Sequence, residues 1–167
     1  MNKTAEKVKE IGYTIDDLTW TRLMSPQFVP KDLIEQIKHR EYTVDDFYKF
    51  HSNNCEIMID GQKRLNPFSH LYALLDPKFK VRGVLWFSID PLSKCLVIQT
   101  YSVEKEFWGM GKAVQKLKDM VLSIKEGAML SKVYWITNYP KHSERYGFKR
   151  SKSILMEYSG EALSDKL

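Results

Sequence analysis

Two Asp-Pro turns constrain this chain more than any other feature. Asp76-Pro77-Lys78 and Asp90-Pro91-Leu92-Ser93 separate three runs rich in strand formers: His70 to Leu75, Phe79 to Ile89, and Cys95 to about Val103. Connections this short cannot carry a parallel crossover, so the three runs must form an antiparallel meander. Gly83, inside the middle run, is the natural place for a bulge. Downstream, Val114, Leu117, Val121 and Ile124 recur at helical spacing while Lys112, Lys116 and Lys118 lie mostly elsewhere. That pattern predicts a long amphipathic helix, ending near Gly127 in a left-handed cap. Val133-Tyr134-Trp135-Ile136 then reads as a short buried strand. Strand, helix and strand in this order make a right-handed crossover.

The remaining segments frame this unit. Among residues 1 to 28, Thr14 to Leu18 suits a capped helical turn and Leu18 to Leu23 alternates like a strand, and both readings stand. Pro30 opens a short amphipathic helix carrying Leu33, Ile34 and Ile37. Thr43-Val44-Asp45-Asp46 resembles a capping box at the head of a second helix, which bears Phe47 and Phe50 and stops at Asn53 and Asn54. Cys55 to Asp60 reads as a strand turning at Gly61, and Lys63 to Ser69 as a loop. Lys141 to Tyr146 has room for one or two helical turns before Gly147, and Ser153 to Tyr158 reads as a last strand. The expectation is an α/β fold: a mixed central sheet with an antiparallel meander, a strand-helix-strand crossover and flanking helices. One domain should span residues 1–167, with its core at 30–158 and a frayed tail at 159–167.

Composition excludes several classes. An apolar fraction of 43% is enough for a conventional core, which rules out general disorder. Two cysteines, Cys55 and Cys95, cannot build a disulfide framework, and the charged start from Met1 to Glu10 is unlike a secretory signal. A cytoplasmic protein without membrane contact is expected. His39, His51 and His70 lack the pairing of a metal site, so no metal is expected. With 26 Lys and Arg against 21 Asp and Glu, the net charge of +5 favours phosphate-bearing partners without choosing among them.

The chemistry concentrates at Trp108-Gly109-Met110-Gly111-Lys112, where a strand hands over to the long helix. Glycines there let backbone amides approach an anion, the positive end of the helix dipole points at the same spot, and Lys112 adds a cation. The same glycines also suit a tight turn with no ligand, and the motif alone does not separate the two. A nucleoside triphosphatase loop is absent, and a dinucleotide fingerprint would need a glycine where Val114 stands.

Here the chain resembles the GNAT superfamily of acetyl-CoA-dependent N-acetyltransferases, whose signature is Gln/Arg-x-x-Gly-x-Gly/Ala at the entry to a long helix. The matching window is Glu106 to Gly111, with Glu106 in the place of Gln or Arg. A second match is Asn138 followed by a short helix and Gly147-Phe148. The resemblance implies acetyl-CoA as co-substrate and direct transfer of the acetyl group to a primary amine. It further implies that Tyr101, Ser102 and Val103 offer backbone groups to the acetyl carbonyl and pantetheine. Amides from Trp108, Gly109, Met110, Gly111 and Lys112 would hold the pyrophosphate, and Asn138 would bind the pantetheine side. A gap between strands would admit the thioester from one face and the amine from the other. Ser143 occupies the position, four residues before Gly147, where many relatives carry a proton-donating tyrosine. Candidate bases are Tyr101, Glu104, Glu106 and His142. The acceptor would be an amine on a small molecule, a protein or a nucleic acid. The departures at Ser143 and Glu106 also allow a GNAT-fold binding or assembly module without catalysis, and the positive charge allows a nucleobase acceptor.

Overall fold

The structure, a computed structural model, describes residues 12–37, 42–137 and 139–152. The expected last strand and tail lie outside these residues, as do Asn138 and the basic run from Lys38 to Arg40.

Both readings of the amino-terminal segment are realised, one after the other. A 3-10 turn at Ile15–Asp17 is closed by a Thr14/Asp17 capping box, and β1 (Thr19–Arg22) follows it. Then come α1 (Lys31–Glu35) and α2 (Val44–Asn54), the latter headed by the expected Thr43/Asp46 box. Cys55 caps α2, and β2 (Glu56–Ile59) turns through Asp60 and Gly61, both at positive φ, into β3 (Gln62–Leu65). The expectation of a loop from Lys63 is thereby corrected. Lys63, Arg64 and Leu65 are exposed, so no apolar alternation marks the strand, and the Asp-Gly turn sets its pairing instead.

The meander consists of β4 (Ser69–Leu75), β5 (Val81–Asp90) and β6 (Cys95–Val103). After α3 (Lys112–Gly127) comes β7 (Lys132–Trp135), which pairs parallel to β6, and then α4 (Pro140–Glu144). The main sheet has the order β1-β4-β5-β6-β7, antiparallel except at β6 and β7. Among the described residues β7 pairs with β6 alone, and Val133, Tyr134 and Trp135 are half-buried where a buried strand was expected.

The long helix ends at Gly127 as expected, but the left-handed residue is not the glycine. α3 runs through Gly127, and Met129 takes the left-handed conformation at φ 53°. Met129 N–H donates to Glu126 O and Leu130 N–H to Lys125 O, so two terminal carbonyls are satisfied and Leu130 is drawn into the core.

Each face of the sheet is covered by helices. Leu33, Ile34 and Phe47 of α1 and α2 pack on Leu71, Ala73 and Val84. On the other face, Leu117 and Val121 of α3 pack on Leu85, Phe87, Leu96 and Ile98. These leucines are at most 2% exposed, and burying each contributes about 2 kcal/mol. Two bulges shape the sheet between them. One places an extra residue, Arg82, beside Gly83, where an added Cβ would lie only 3.1 Å from Leu74 and 3.2 Å from the Ser102 carbonyl. The other inserts Gln99 into β6, since Phe87 faces Ile98 while Trp86 faces Thr100.

Candidate functional site

The site begins where β6 outruns its parallel partner. β7 is in register with β6 only from Cys95 to Ile98, and the Ile136 amide makes the final bond, to Ile98 O. Beyond that point β6 continues to Val103 with one edge open among the described residues. Glu104 N–H donates to Arg82 O across the sheet, so strand alternation turns the Ser102 amide toward β5 and those of Tyr101 and Val103 toward the open edge. The Val103 carbonyl on that edge accepts from Trp108 Nε1 at 2.8 Å.

The loop after β6 delivers a second set of donors. Gly109, Met110 and Gly111 have φ of 121°, 53° and 70°, three consecutive left-handed residues that turn the chain into α3. Among the described residues, the amides of Gly109, Met110 and Gly111 make no hydrogen bond, nor do those of Ala113 and Val114 in the first helical turn. Trp108, Gly109 and Met110 are exposed and Gly111 is half-buried. At the two ends of the expected set from Trp108 to Lys112 the amides are bonded within the chain: that of Trp108 closes a 3-10 turn onto Lys105 O, and that of Lys112 donates to Gly109 O at 3.3 Å. Lys112 Nζ pairs with Asp16 at 3.4 Å.

The two glycines serve different needs. A Cβ at Gly109 would meet nothing within 4 Å, so this glycine answers to its backbone angle alone. A Cβ at Gly111 would lie 2.3 Å from Cε1 of Tyr146, whose ring rests on the loop. Tyr146 also lines a cleft of about 780 Å³ between α3, β7 and the chain after α4, together with Trp135, Ser143 and Phe148. The ring therefore stands between loop and cleft. Ser143 is 4% exposed, and its Oγ donates a long 3.4 Å bond to Tyr139 O.

Other expected site residues fall away from the open edge. The Tyr101 hydroxyl donates to Ala113 O at 2.6 Å under α3, and burial pushes its pKa well up. A phenol so placed has no proton to exchange with a substrate. Glu104 Oε2 is held by Arg82 at 2.8 Å. Arg82 also bonds Asp76 at 2.9 Å and the Tyr13 hydroxyl at 2.6 Å, while the Asp76 carboxylate accepts from Tyr13 and from the amides of Lys78 and Lys80. Several basic groups are paired with carboxylates: Arg82 here, Lys63 with Glu56 and Arg150 with Glu144. The side chain of His142 lies outside the described structure.

Sequence reasoning missed two polar contacts on the opposite face of β6. The Tyr42 hydroxyl is 3.2 Å from Thr100 Oγ1, and Ser102 Oγ donates to Gln36 Oε1 at 3.3 Å. No sequence signal reveals them, because they depend on the bulge at Gln99. Among the described residues, no group of three or more His, Cys, Asp or Glu side chains is placed to hold a metal ion, and no helix is long and apolar enough to cross a membrane.

A bulged meander strand that parts from its parallel neighbour and hands over through a glycine loop to a long helix defines the GNAT fold. Solved structures agree. The chain is similar to a possible acetyltransferase from Clostridium difficile 630, with 14% identity, coverage of 84% of this chain and 96% of that one, and a TM-score of 0.58. It is also similar to a GNAT family acetyltransferase from Staphylococcus aureus, with 11% identity, 85% and 98% coverage and a TM-score of 0.57. An IAA acetyltransferase from Bacillus cereus ATCC 14579 shares 16% identity over 77% of this chain and 71% of that one, at a TM-score of 0.52. No family model and no curated protein matches the sequence.

Proposed function

We propose that this protein binds acetyl-CoA and transfers the acetyl group to a primary amine. The observation that carries this reading is the pair of donor sets at one end of the sheet: amides at Gly109, Met110 and Gly111 unpaired among the described residues, and the edge of β6 at Tyr101 and Val103, open among the same residues. The first set suits a diphosphate, since it joins free N–H groups to the positive end of α3. The second suits an acyl carbonyl whose oxygen gains negative charge as the amine attacks.

In the transfer, the amine nitrogen forms a bond to the carbonyl carbon, the carbon-sulfur bond breaks, and the thiolate takes up a proton. Tyr101 contributes its main chain to this step and not its phenol, which α3 covers. Ser143, on the cleft wall, is assigned the proton for the thiolate, directly or through a water. No covalent enzyme intermediate is required.

Calorimetry with acetyl-CoA tests the first half. Saturable binding to folded protein is expected, and its absence would reject the enzymatic reading. Thiol release with peptide, polyamine and nucleic-acid acceptors tests the second half, and Ser143→Ala should slow release about tenfold or more while leaving cofactor affinity intact. The departures at Ser143 and Glu106 support one rival, a GNAT-fold binding module without catalysis. Binding without transfer to any acceptor would select it.

A further inference from the structure

The glycine loop keeps its shape with little help from hydrogen bonds. Gly109, Met110 and Gly111 follow one another in the left-handed region, at φ of 121°, 53° and 70°, and their amides are unpaired among the described residues. Met110 lacks a glycine's freedom, and at 94% exposure its side chain anchors nothing. The entry to the loop is held by the Trp108 indole, which donates to Val103 O at 2.8 Å, and the exit by the Gln115 amide, which donates to Gly111 O at 2.9 Å. Between these two anchors the Tyr146 ring lies against the backbone. A Cβ at Gly111 would stand 2.8 Å from both Cζ and the hydroxyl oxygen of Tyr146, so ring and loop approach as closely as a glycine allows.

The ring is braced from behind. The amides of Tyr146 and Phe148 both donate to Ser143 O, at 3.1 and 3.3 Å, and the Gly147 amide donates to Glu144 O at 3.2 Å. Phe148 then meets Trp135 of β7 edge to face, with centroids 5.3 Å apart. The chain after α4 is thus closed into a bonded turn seated on the sheet. That turn presents Tyr146 to the loop and Ser143 to the cleft.

We propose that Tyr146 is a positioning residue for the diphosphate: its ring holds Gly109 to Gly111 in the conformation that leaves their amides to the cofactor before the cofactor arrives. Without the ring, binding would have to order the loop, and that cost comes out of affinity. The flat ring supplies this support, and the hydroxyl is not needed for it. Tyr146 acts through the loop and on neither the acetyl group nor the amine. Its effect is therefore confined to thioesters that carry a diphosphate.

This inference rests on the acetyl-CoA reading, and the test separates the two. Wild type, Tyr146→Ala, Tyr146→Leu and Tyr146→Phe are titrated calorimetrically with acetyl-CoA, and with acetyl-pantetheine in competition against it. The second probe has the same thioester and no diphosphate. Tyr146→Ala should weaken acetyl-CoA about tenfold and leave acetyl-pantetheine unchanged, and Tyr146→Phe should restore the wild-type affinity. Wild type that binds no acetyl-CoA overturns both readings. Wild type that binds it, with the same affinity in Tyr146→Ala, overturns this one alone. So does an equal loss for acetyl-pantetheine, the mark of general damage to the fold, and so does a Tyr146→Phe variant as weak as Tyr146→Ala. Should Tyr146→Ala fail to fold, Tyr146→Leu, which keeps apolar bulk without the flat ring, decides by the same criterion.

Discussion

A single methyl group at position 111 asks two things of the chain. It must sit on a residue at φ 70°, which costs an L-residue about 1 kcal/mol, and it must displace the Tyr146 ring, whose Cε1 would lie 2.3 Å away. Gly111→Ala should therefore destabilise the protein by about 1–3 kcal/mol, read from urea midpoints. Adding Tyr146→Ala should recover the steric part and leave the backbone part, so the two changes will not be additive. Gly109→Ala has strain but no clash, and Tyr146→Ala should do nothing to relieve it. In the sequence these glycines look equivalent, both read as room for backbone amides. Only the fold shows that one of them is also a seat for an aromatic ring contributed from 35 positions further along the chain. The contact between Tyr42 and Thr100 was not legible, because the bulge at Gln99 decides which way Thr100 faces.

Elements were more legible than their irregularities. Asp-Pro turns between apolar runs dictated the meander, and helical spacing from Val114 to Ile124 dictated α3. The β2-β3 hairpin was hidden because its second strand is exposed along its whole length, leaving no burial pattern to read. The bulge next to Gly83 was expected, but not that the residue it presents is a charged one, Arg82. Arg82 in fact ties the β4-β5 turn through Asp76 to the end of β6 through Glu104, and to the amino-terminal segment through Tyr13. Removing it strands a buried carboxylate, so Arg82→Ala should cost about 3 kcal/mol in chemical denaturation. Arg82→Lys should recover little of this, since one ammonium on a flexible stem cannot span three acceptors held by a planar guanidinium.

At the scale of the whole molecule, buried titratable groups predict a stability profile with two acid limbs. His51 is 2% exposed, packed among Phe47, Phe50 and Trp86 with ring centroids 4.4, 5.0 and 4.8 Å away, and burial pushes its pKa down to about 4. The unfolded chain takes up this proton near pH 6.5. Between those values the unfolded state binds more protons than the folded one, so stability is complete above about pH 6.5 and declines as pH falls toward 4. His51 alone accounts for a decline on the order of 3 kcal/mol, and His70, also lowered by burial, acts in the same direction. Asp76 supplies the second limb. Burial opposes its charge, but hydrogen bonds from Tyr13, the Lys80 and Lys78 amides and Arg82 outweigh that and hold its carboxyl well below the usual range. Its contribution is present above the unfolded value of about 3.9 and is lost as pH falls below it. Urea midpoints measured from pH 7.5 to 2.5 should thus fall first between 6.5 and 4 and again below 4. His51→Phe, which keeps a ring among the aromatics, should shrink the upper limb to what His70 contributes without touching the lower, and Asp76→Asn should shrink the lower limb alone. A wild-type midpoint that stays level from pH 7 to 5 would mean that His51 can be protonated in place, and the aromatic packing beside Trp86 would then have to be open to water.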